Sequence, residues 1–256
     1  ALDMCFHTYA APALEHVRRS RWKRVTPLPD ISVIQTLCSE LDAMLTPEDC
    51  PAGTEQDVIE AFFHCAAVWA LGGALGGDRT ADTRALFSDW YRSECVAKAA
   101  IRYPDDGLVF DYFFSPLERR FVHWADVVPD FARASGAEPN VGEQLGASIM
   151  VPTVHSTRLG ALIDLLSPAR VPIMLVGGVG TAKTTVLRNK LATLPEDFTS
   201  YSISLNSYTD AGLLQNILEQ PLERKTGSSY GPPGTKRLTY LLDDPNICPV
   251  DKYGTQ

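Results

Sequence analysis

The chain has 256 residues, of which 45% are hydrophobic, and its formal net charge is −8 at pH 7. This length predicts one or two domains with an ordinary hydrophobic core. The acidic balance argues against sequence-independent binding of nucleic acid, which requires clustered lysine and arginine side chains.

The first half of the chain shows the apolar periodicity of helices. Helices are predicted over residues 31–45, about 57–75 and about 80–98. The longest apolar run, residues 58–77, is interrupted by Glu60 and by two Gly-Gly pairs. We therefore expect a buried core helix there, and neither a membrane span nor a secretory signal in the chain.

Two short strands and a connector follow these helices. Residues 107–124 are rich in aromatic side chains and predict two strands around a turn at Ser115 and Pro116. Residues 129–153 have little apolar periodicity, so we interpret them as a connector between two modules. The six cysteines of the chain form no C-x-x-C pair, which predicts reduced thiols and no zinc site.

Strands and helices alternate in the second half of the chain, which is typical of a parallel α/β sheet. Helices are predicted over residues 156–168, 184–191 and 210–220, and strands over residues 171–177, 201–206 and 237–244. The first of these strands is a continuous apolar run. We expect it to be buried on both faces of the sheet.

The sequence GGVGTAKT, residues 177–184, nearly matches the phosphate-binding pattern G-x-x-x-x-G-K-[ST] between a strand and a helix. We expect its backbone N–H groups to bind phosphate, Lys183 to reach the terminal phosphates and Thr184 to bind Mg²⁺. Alanine replaces the last glycine at position 182. We expect an ordinary helical φ there, so that Ala182 costs little, and we consider Gly180 the more demanding position. The predicted nucleotide-binding residues of the loop are Gly177, Gly178, Val179, Gly180, Thr181, Ala182, Lys183, Thr184 and Thr185.

The last predicted strand ends in two acidic residues, in the sequence LTYLLDD. This is the Walker B form, and we expect the strand to lie beside the strand that leads into the phosphate loop. Asp243 is then the predicted magnesium ligand. Asp244 stands where a hydrolytic ATPase usually has glutamate. Because aspartate is one methylene shorter, we expect slow hydrolysis, or binding without efficient turnover.

Longer stretches resemble the dynein heavy chains. LLDDPNICPVDKYGTQ resembles the segment after Walker B, and VFDYFFSPLERRFVHWADVVPDF resembles the segment that joins the second AAA+ module to the third. VWALGGAL, FSDWYRSE and VPTVHSTRLGALIDLL are similar to the same family in the same order. The resemblance covers essentially the whole chain. The sequence resembles axonemal heavy chains more than cytoplasmic ones.

The resemblance implies a partial AAA+ large subdomain of the α/β P-loop NTPase class, preceded by a mainly helical AAA+ lid with a small β-hairpin. It assigns residues 1–147 to the end of the second module and the linker, and residues 148–256 to the beginning of the third. It also implies a site for ATP or ADP with Mg²⁺. The residues that it matches to an entry loop near the adenine are Val151, Pro152 and Thr153.

The same resemblance implies a segment of a microtubule motor that carries a regulatory nucleotide site and supports ciliary movement. The implied partners are neighbouring AAA+ modules, microtubules, and intermediate and light chains bound through distant regions, with no nucleic acid and no membrane. The implied location is the cytoskeleton of the cytoplasm, in the axoneme of a cilium or flagellum. We expect ATPase activity of the full-length chain and not of this segment alone, because the sensor residues and arginine finger lie beyond it.

Two alternatives to this interpretation stay open at the level of sequence. A free-standing P-loop ATPase would carry its own sensor and finger residues, and none follow Asp244. A truncated P-loop protein could act as a scaffold or interaction module. ATP binding that depends on Lys183 would count against the scaffold.

Overall fold

The computed structural model describes residues 1–77, 82–130 and 150–248. The chain divides into two compact units, Ala1–Thr181 and Ala182–Gln256. Most of the predicted connector lies outside the described residues. So does the end of the motif LLDDPNICPVDKYGTQ, residues 249–256. No helix in the described ranges is long and apolar enough to cross a bilayer.

The first unit is mainly helical, as predicted. Its α-helices are α1 Leu2–Cys5, α2 Ala11–Arg19, α3 Asp30–Met44, α4 Gln56–Gly72, α5 Thr83–Tyr91 and α6 Val154–Leu166. Helix α5 begins where the Asp82 side chain accepts hydrogen bonds from the backbone N–H groups of Arg84 and Ala85, which is the usual way to satisfy a helix N-terminus. A π-helical turn, Arg92–Val96, continues α5.

Helix α4 lies in the middle of the core of the first unit. It is apolar on nearly all sides, and Phe63 and His64 on it are completely buried. Phe63 meets the ring of Phe6 edge-on, with ring centroids 5.3 Å apart, an arrangement that aromatic pairs prefer. The prediction of a buried core helix is therefore confirmed.

The predicted hairpin packs on this core. Its strands are β1 Tyr112–Ser115 and β2 Arg120–His123, which pair antiparallel. Phe114 of β1 meets Phe62 of α4 with ring centroids 5.0 Å apart. The helices and the hairpin thus pack into a single core.

A buried arginine fixes α6 within the first unit. Arg158 Nη1 donates hydrogen bonds to the backbone oxygen of Phe110 and to Asp111 Oδ1, each at 3.1 Å. Its guanidinium also lies 5.4 Å from the centre of a Trp69 ring. A buried guanidinium is stable only where such partners replace its water, so this contact ties the helix after the connector to the helical core.

The second unit is an α/β structure. Its elements are α7 Lys183–Ala192, β3 Phe198–Ser204, α8 Ala211–Glu219, β4 Glu223–Arg224, β5 Tyr230–Gly231 and β6 Arg237–Asp243. Strands β3 and β6 pair in parallel, as their separation by a helix predicts. Strands β4 and β5 form a two-residue antiparallel ladder in the charged loop between α8 and β6.

The predicted strand at residues 171–177 is not formed, and this expectation was wrong. These residues have no assigned secondary structure, and Met174 and Val176 are 67% and 45% exposed. The described strand that pairs with β6 is β3 and not this segment. An extended apolar segment becomes a buried strand only when a neighbour takes up its backbone N–H and C=O groups, and none of the described strands does so.

Candidate functional site

Strand β6 holds Asp243 at its carboxyl end. Leu241 is buried and anchors the strand. The register pairs Asp243 with Ser204 of β3, and the backbone oxygen of Asp243 accepts a hydrogen bond from Leu205 N at 3.1 Å. The acidic residue is therefore fixed by the last rungs of a parallel ladder, an edge of the sheet where α/β proteins commonly bind ligands.

Helix α7 brings Thr184 to the same place. Val186, which is 2% exposed, anchors the first turn of this helix. The Thr184 hydroxyl donates a hydrogen bond to Asp243 Oδ1 at 3.1 Å. The structure thus brings together the predicted metal-binding residues of the Walker A and Walker B motifs, which are 59 positions apart in the chain.

A third residue, which the sequence analysis did not identify, joins this pair. Arg188 lies one turn after Thr184 on α7, and its Nη2 lies 3.7 Å from Asp243 Oδ2. The spacing of four residues places both side chains on one face of the helix. That spacing was the available signal, but it is informative only once β6 is known to face this side of α7.

The glycine-rich loop before the helix contains one tight turn. Gly180 has φ +77°, a conformation that favours glycine. Because Ala182 also has a positive φ, the prediction that Gly180 is the more demanding of the two positions is not confirmed. Thr181 Oγ1 donates a hydrogen bond to the backbone oxygen of Gly178 at 2.9 Å, and Val179 is fully exposed. The loop is therefore closed by its own polar groups and presents an apolar side chain to solvent.

Ala182 does not have the ordinary helical φ that we expected, and that prediction was wrong. Its φ and ψ are +59° and +19°, in the left-handed region, and its oxygen accepts the first hydrogen bond of α7, from Val186 N. A Cβ in this region costs roughly 1–2 kcal/mol because it approaches the following carbonyl oxygen. Position 182 is the turn before the helix and not its first residue, so alanine strains the loop where glycine would not.

Asp244 differs sharply from Asp243 although the two are adjacent. Asp243 ends the strand, whereas Asp244 is exposed and left-handed, with φ +56°, and begins the short 3₁₀ turn Pro245–Ile247. Its backbone oxygen accepts a hydrogen bond from Ile247 N at 3.1 Å. Aspartate tolerates this conformation better than most residues, which accounts for the sharp change of direction after the strand.

The predicted entry loop precedes α6 in the first unit. Thr153 and Ser156 form a reciprocal cap, in which Thr153 Oγ1 accepts from Ser156 N at 3.1 Å and Ser156 Oγ accepts from Thr153 N at 2.9 Å. Val151 is 59% exposed and Pro152 is half-buried. Thr153 therefore has a structural role as a helix cap, and contact of this loop with an adenine remains a prediction, as does the role of the half-buried Thr185.

The side chains at the end of β6 suit Mg²⁺. The hydroxyl of Thr184 and the carboxylate of Asp243 are hard oxygen donors, which this ion prefers, and Mg²⁺ commonly keeps several waters beside one or two protein ligands. The described ranges contain no group of three or more histidine, cysteine or acidic side chains placed to hold a metal ion. The donor set thus fits an ion that would be shared with a ligand.

Two family models match most of the chain. The model described as "P-loop containing dynein motor region" matches residues 143–256, and the "Dynein heavy chain AAA lid domain" model matches residues 2–126. The first model covers the loop and the strand that carry the site, and it indicates a nucleotide-binding region. The second covers the helical unit up to residue 126, and α6 falls within the first model.

Similar proteins include a ciliary dynein beta chain of Tripneustes gratilla, with 39% identity over 254 residues. Dynein axonemal heavy chain 11 of Sus scrofa is 38% identical over 254 residues, and the flagellar outer-arm dynein beta chain of Chlamydomonas reinhardtii is 38% identical over 258 residues. These matches cover 99%, 99% and 100% of this chain and 5% of each relative. The chain therefore spans about one twentieth of the length of these relatives.

Proposed function

Because the chain belongs to the dynein heavy chain family, we propose that it contributes a regulatory nucleotide site to a motor. The proposed ligand is ATP or ADP with Mg²⁺. The observation that carries the proposal is the 3.1 Å hydrogen bond between Thr184 and Asp243, because it brings the two expected metal-binding groups to one point. A chance glycine-rich turn would not require an acidic strand end at that point.

The residues of the loop have separate roles in this proposal. Backbone N–H groups of residues 177–185 bind phosphate oxygens, and Lys183 supplies a positive charge to the terminal phosphates. Thr184 and Asp243 hold the Mg²⁺, which neutralises phosphate charge when bound. Residues 151–153 contribute to the adenine end. The positive φ of Gly180 supports these roles, because such turns direct successive N–H groups toward an anion.

Asp244 is the proposed water-orienting residue. Its geometry supports the proposal that the site hydrolyses nucleotide slowly. Its side chain is shorter than glutamate and begins from a left-handed, exposed backbone position. A general base must come within hydrogen-bond reach of its water. A site that binds nucleotide and hydrolyses it slowly can act as a switch, because bound nucleotide shifts a conformational equilibrium by its difference in affinity for the two states.

We propose the following place for the segment in the whole protein. Residues 1–147 belong to the end of the second AAA+ module, and residues 148–256 begin the third. The full-length chain is an ATP-driven microtubule motor of a ciliary or flagellar axoneme, with neighbouring AAA+ modules and intermediate and light chains as partners. The names of the axonemal, ciliary and flagellar relatives support this proposal.

The match to a dynein lid model in the helical unit favours the heavy chain over a free-standing P-loop ATPase or a scaffold. Those alternatives would explain the loop but not the similarity over the preceding 125 residues, 2–126. Nucleotide binding that depends on Lys183 would also count against a scaffold.

The test is nucleotide binding by the 256-residue chain and by Lys183→Ala, measured with a fluorescent ADP analogue. We expect the variant to bind at least about tenfold more weakly, since a charge-assisted contact with phosphate is worth about 1.5–3 kcal/mol. Lys190→Ala, which removes the same charge from the same helix, is the control and should bind normally. Equal binding by the wild type and Lys183→Ala would refute the proposed site.

A second test uses the full-length heavy chain. Lys183→Ala there should change both the microtubule-stimulated ATPase rate and the gliding velocity, because an empty regulatory site cannot shift the equilibrium of the ring. If both rates remain at the wild-type value, the regulatory role is wrong even where binding is confirmed.

A further inference from the structure

The carboxylate of Asp243 has a different partner at each oxygen. Oδ1 accepts a hydrogen bond from the Thr184 hydroxyl at 3.1 Å, and Oδ2 faces Arg188 Nη2 at 3.7 Å. The Asp243 side chain is only 23% exposed, so these two groups replace much of the water around it. Both oxygens of the proposed metal ligand are thus engaged by groups of the protein itself.

The contact with Arg188 is an ion pair and not a hydrogen bond, because 3.7 Å exceeds hydrogen-bond length. The Arg188 side chain is 59% exposed, so it can move into solvent without leaving a buried charge behind. Such a half-exposed pair contributes little to stability. The position of Arg188 therefore matters more for the proposed metal site than for the stability of the fold.

The electrostatic effect of Arg188 on a cation at this place is unfavourable. A divalent ion beside Asp243 would share the carboxylate with the guanidinium and be repelled by it. At about 6 Å, a unit charge and a double charge repel by about 1.4 kcal/mol even at the dielectric constant of water. That energy corresponds to about a tenfold difference in affinity.

We propose that Arg188 is a built-in competitor of Mg²⁺ for Asp243 and lowers the affinity of the site for the metal. This inference deepens the proposed function and rests on it. Without metal, Arg188 neutralises the carboxylate. When Mg²⁺ binds, Asp243 exchanges the guanidinium for the ion, and Arg188, which stays on the same face of α7, still repels the ion at about 6 Å. Binding of the metal ion therefore breaks the ion pair between Asp243 and Arg188, which lies in the middle of α7.

The proposal is tested by metal binding in the absence of nucleotide. Mn²⁺ serves as the probe for the 256-residue chain, and its free concentration is measured by electron paramagnetic resonance. Arg188→Gln should bind Mn²⁺ about tenfold more tightly than the wild type, and Arg188→Lys should stay near the wild type because it keeps the charge. Lys236→Gln, which makes the same change in net charge elsewhere in the second unit, is the control.

The outcomes separate this inference from the proposed function. Tighter binding by Arg188→Gln that disappears in the double variant with Asp243→Asn supports competition. Unchanged or absent Mn²⁺ binding in Arg188→Gln overturns it. If Arg188→Gln instead weakens binding of the ADP analogue in EDTA, Arg188 is a phosphate ligand and the inference is wrong. Failure of Lys183-dependent nucleotide binding sinks the proposed function alone, because the Mn²⁺ titration does not involve nucleotide.

Discussion

The two units differ most in how much apolar surface they bury. The first unit has a continuous core of aliphatic and aromatic side chains from helices α1 to α5 and the hairpin. In the described part of the second unit the buried hydrophobic residues are Val186, Ile203, Leu205 and Leu241. Since burial of apolar area is the main favourable term in folding, the hydrophobic contribution to stability is larger in the first unit than in the described part of the second.

Helix α8 illustrates the difference. It has an apolar face, yet none of its residues is buried and Leu213 is 42% exposed. Helix α4, in contrast, is buried along most of its length. Thr184, Arg188 and Asp243 therefore lie in the less well packed unit, which is where mobile and ligand-responsive elements are usually found.

The first prediction concerns the core of the first unit. Phe63→Ala should lower its free energy of unfolding by about 3–5 kcal/mol, because a fully buried aromatic side chain leaves a cavity. All four tryptophans of the chain lie before residue 125, so tryptophan fluorescence during denaturation reports this unit alone. Ile203→Ala in β3 is the matched control and should leave the tryptophan transition in place. An equal shift in both variants would show that the two units unfold together.

The second prediction concerns acid stability of the same core. Burial lowers the pKa of His64 to about 4, from 6.5 in the unfolded chain. Below pH 6.5 the unfolded chain therefore takes up a proton that the folded chain does not. Protonation of His64 in the unfolded chain should by itself lower the free energy of unfolding by about 3 kcal/mol between pH 6.5 and pH 4, and His64→Gln should remove this contribution.

Glu40 provides the control for that slope, because its titration has the opposite sign. Burial raises the pKa of the Glu40 carboxyl well above 4.5, so its contribution to stability decreases as the pH rises above 4.5. Glu40→Gln should therefore make the loss of stability in acid steeper, while His64→Gln makes it shallower. The same slope in both variants would exclude His64 as the cause.

The third prediction concerns the strained loop and has the smallest expected effect. Ala182→Gly relieves a left-handed Cβ but gives the unfolded chain more freedom, so the net gain in stability should be about 0.5–1 kcal/mol. Hydrogen exchange of the α7 amides measures it directly. Ala192→Gly, at the far end of the same helix, should instead reduce protection, by up to about 1 kcal/mol. A loss of protection in Ala182→Gly would contradict the strain.

Helices α3 to α6 of the first unit were predictable from apolar periodicity or, for α4, from the length of an apolar run, whereas no helix was predicted over α1 or α2. The hairpin was predictable for a related reason, since aromatic runs around Ser115 and Pro116 indicate local pairing. The strand predicted over residues 171–177 is not formed because strand formation depends on a partner elsewhere in the chain. The φ of Ala182 was missed because a motif specifies residue types and not where the helix begins.

The sequence by itself determined the family and the helical and α/β halves, and it predicted Lys183, Thr184 and Asp243 as Walker residues, because these follow from local patterns and motif spacing. Only the tertiary structure decided that Thr184 and Asp243 meet and that Arg188 joins them. It also decided that Ala182 is left-handed. The physical reason is that a distance between two segments depends on the register of β3 against β6 and on the packing of α7, which no local pattern contains.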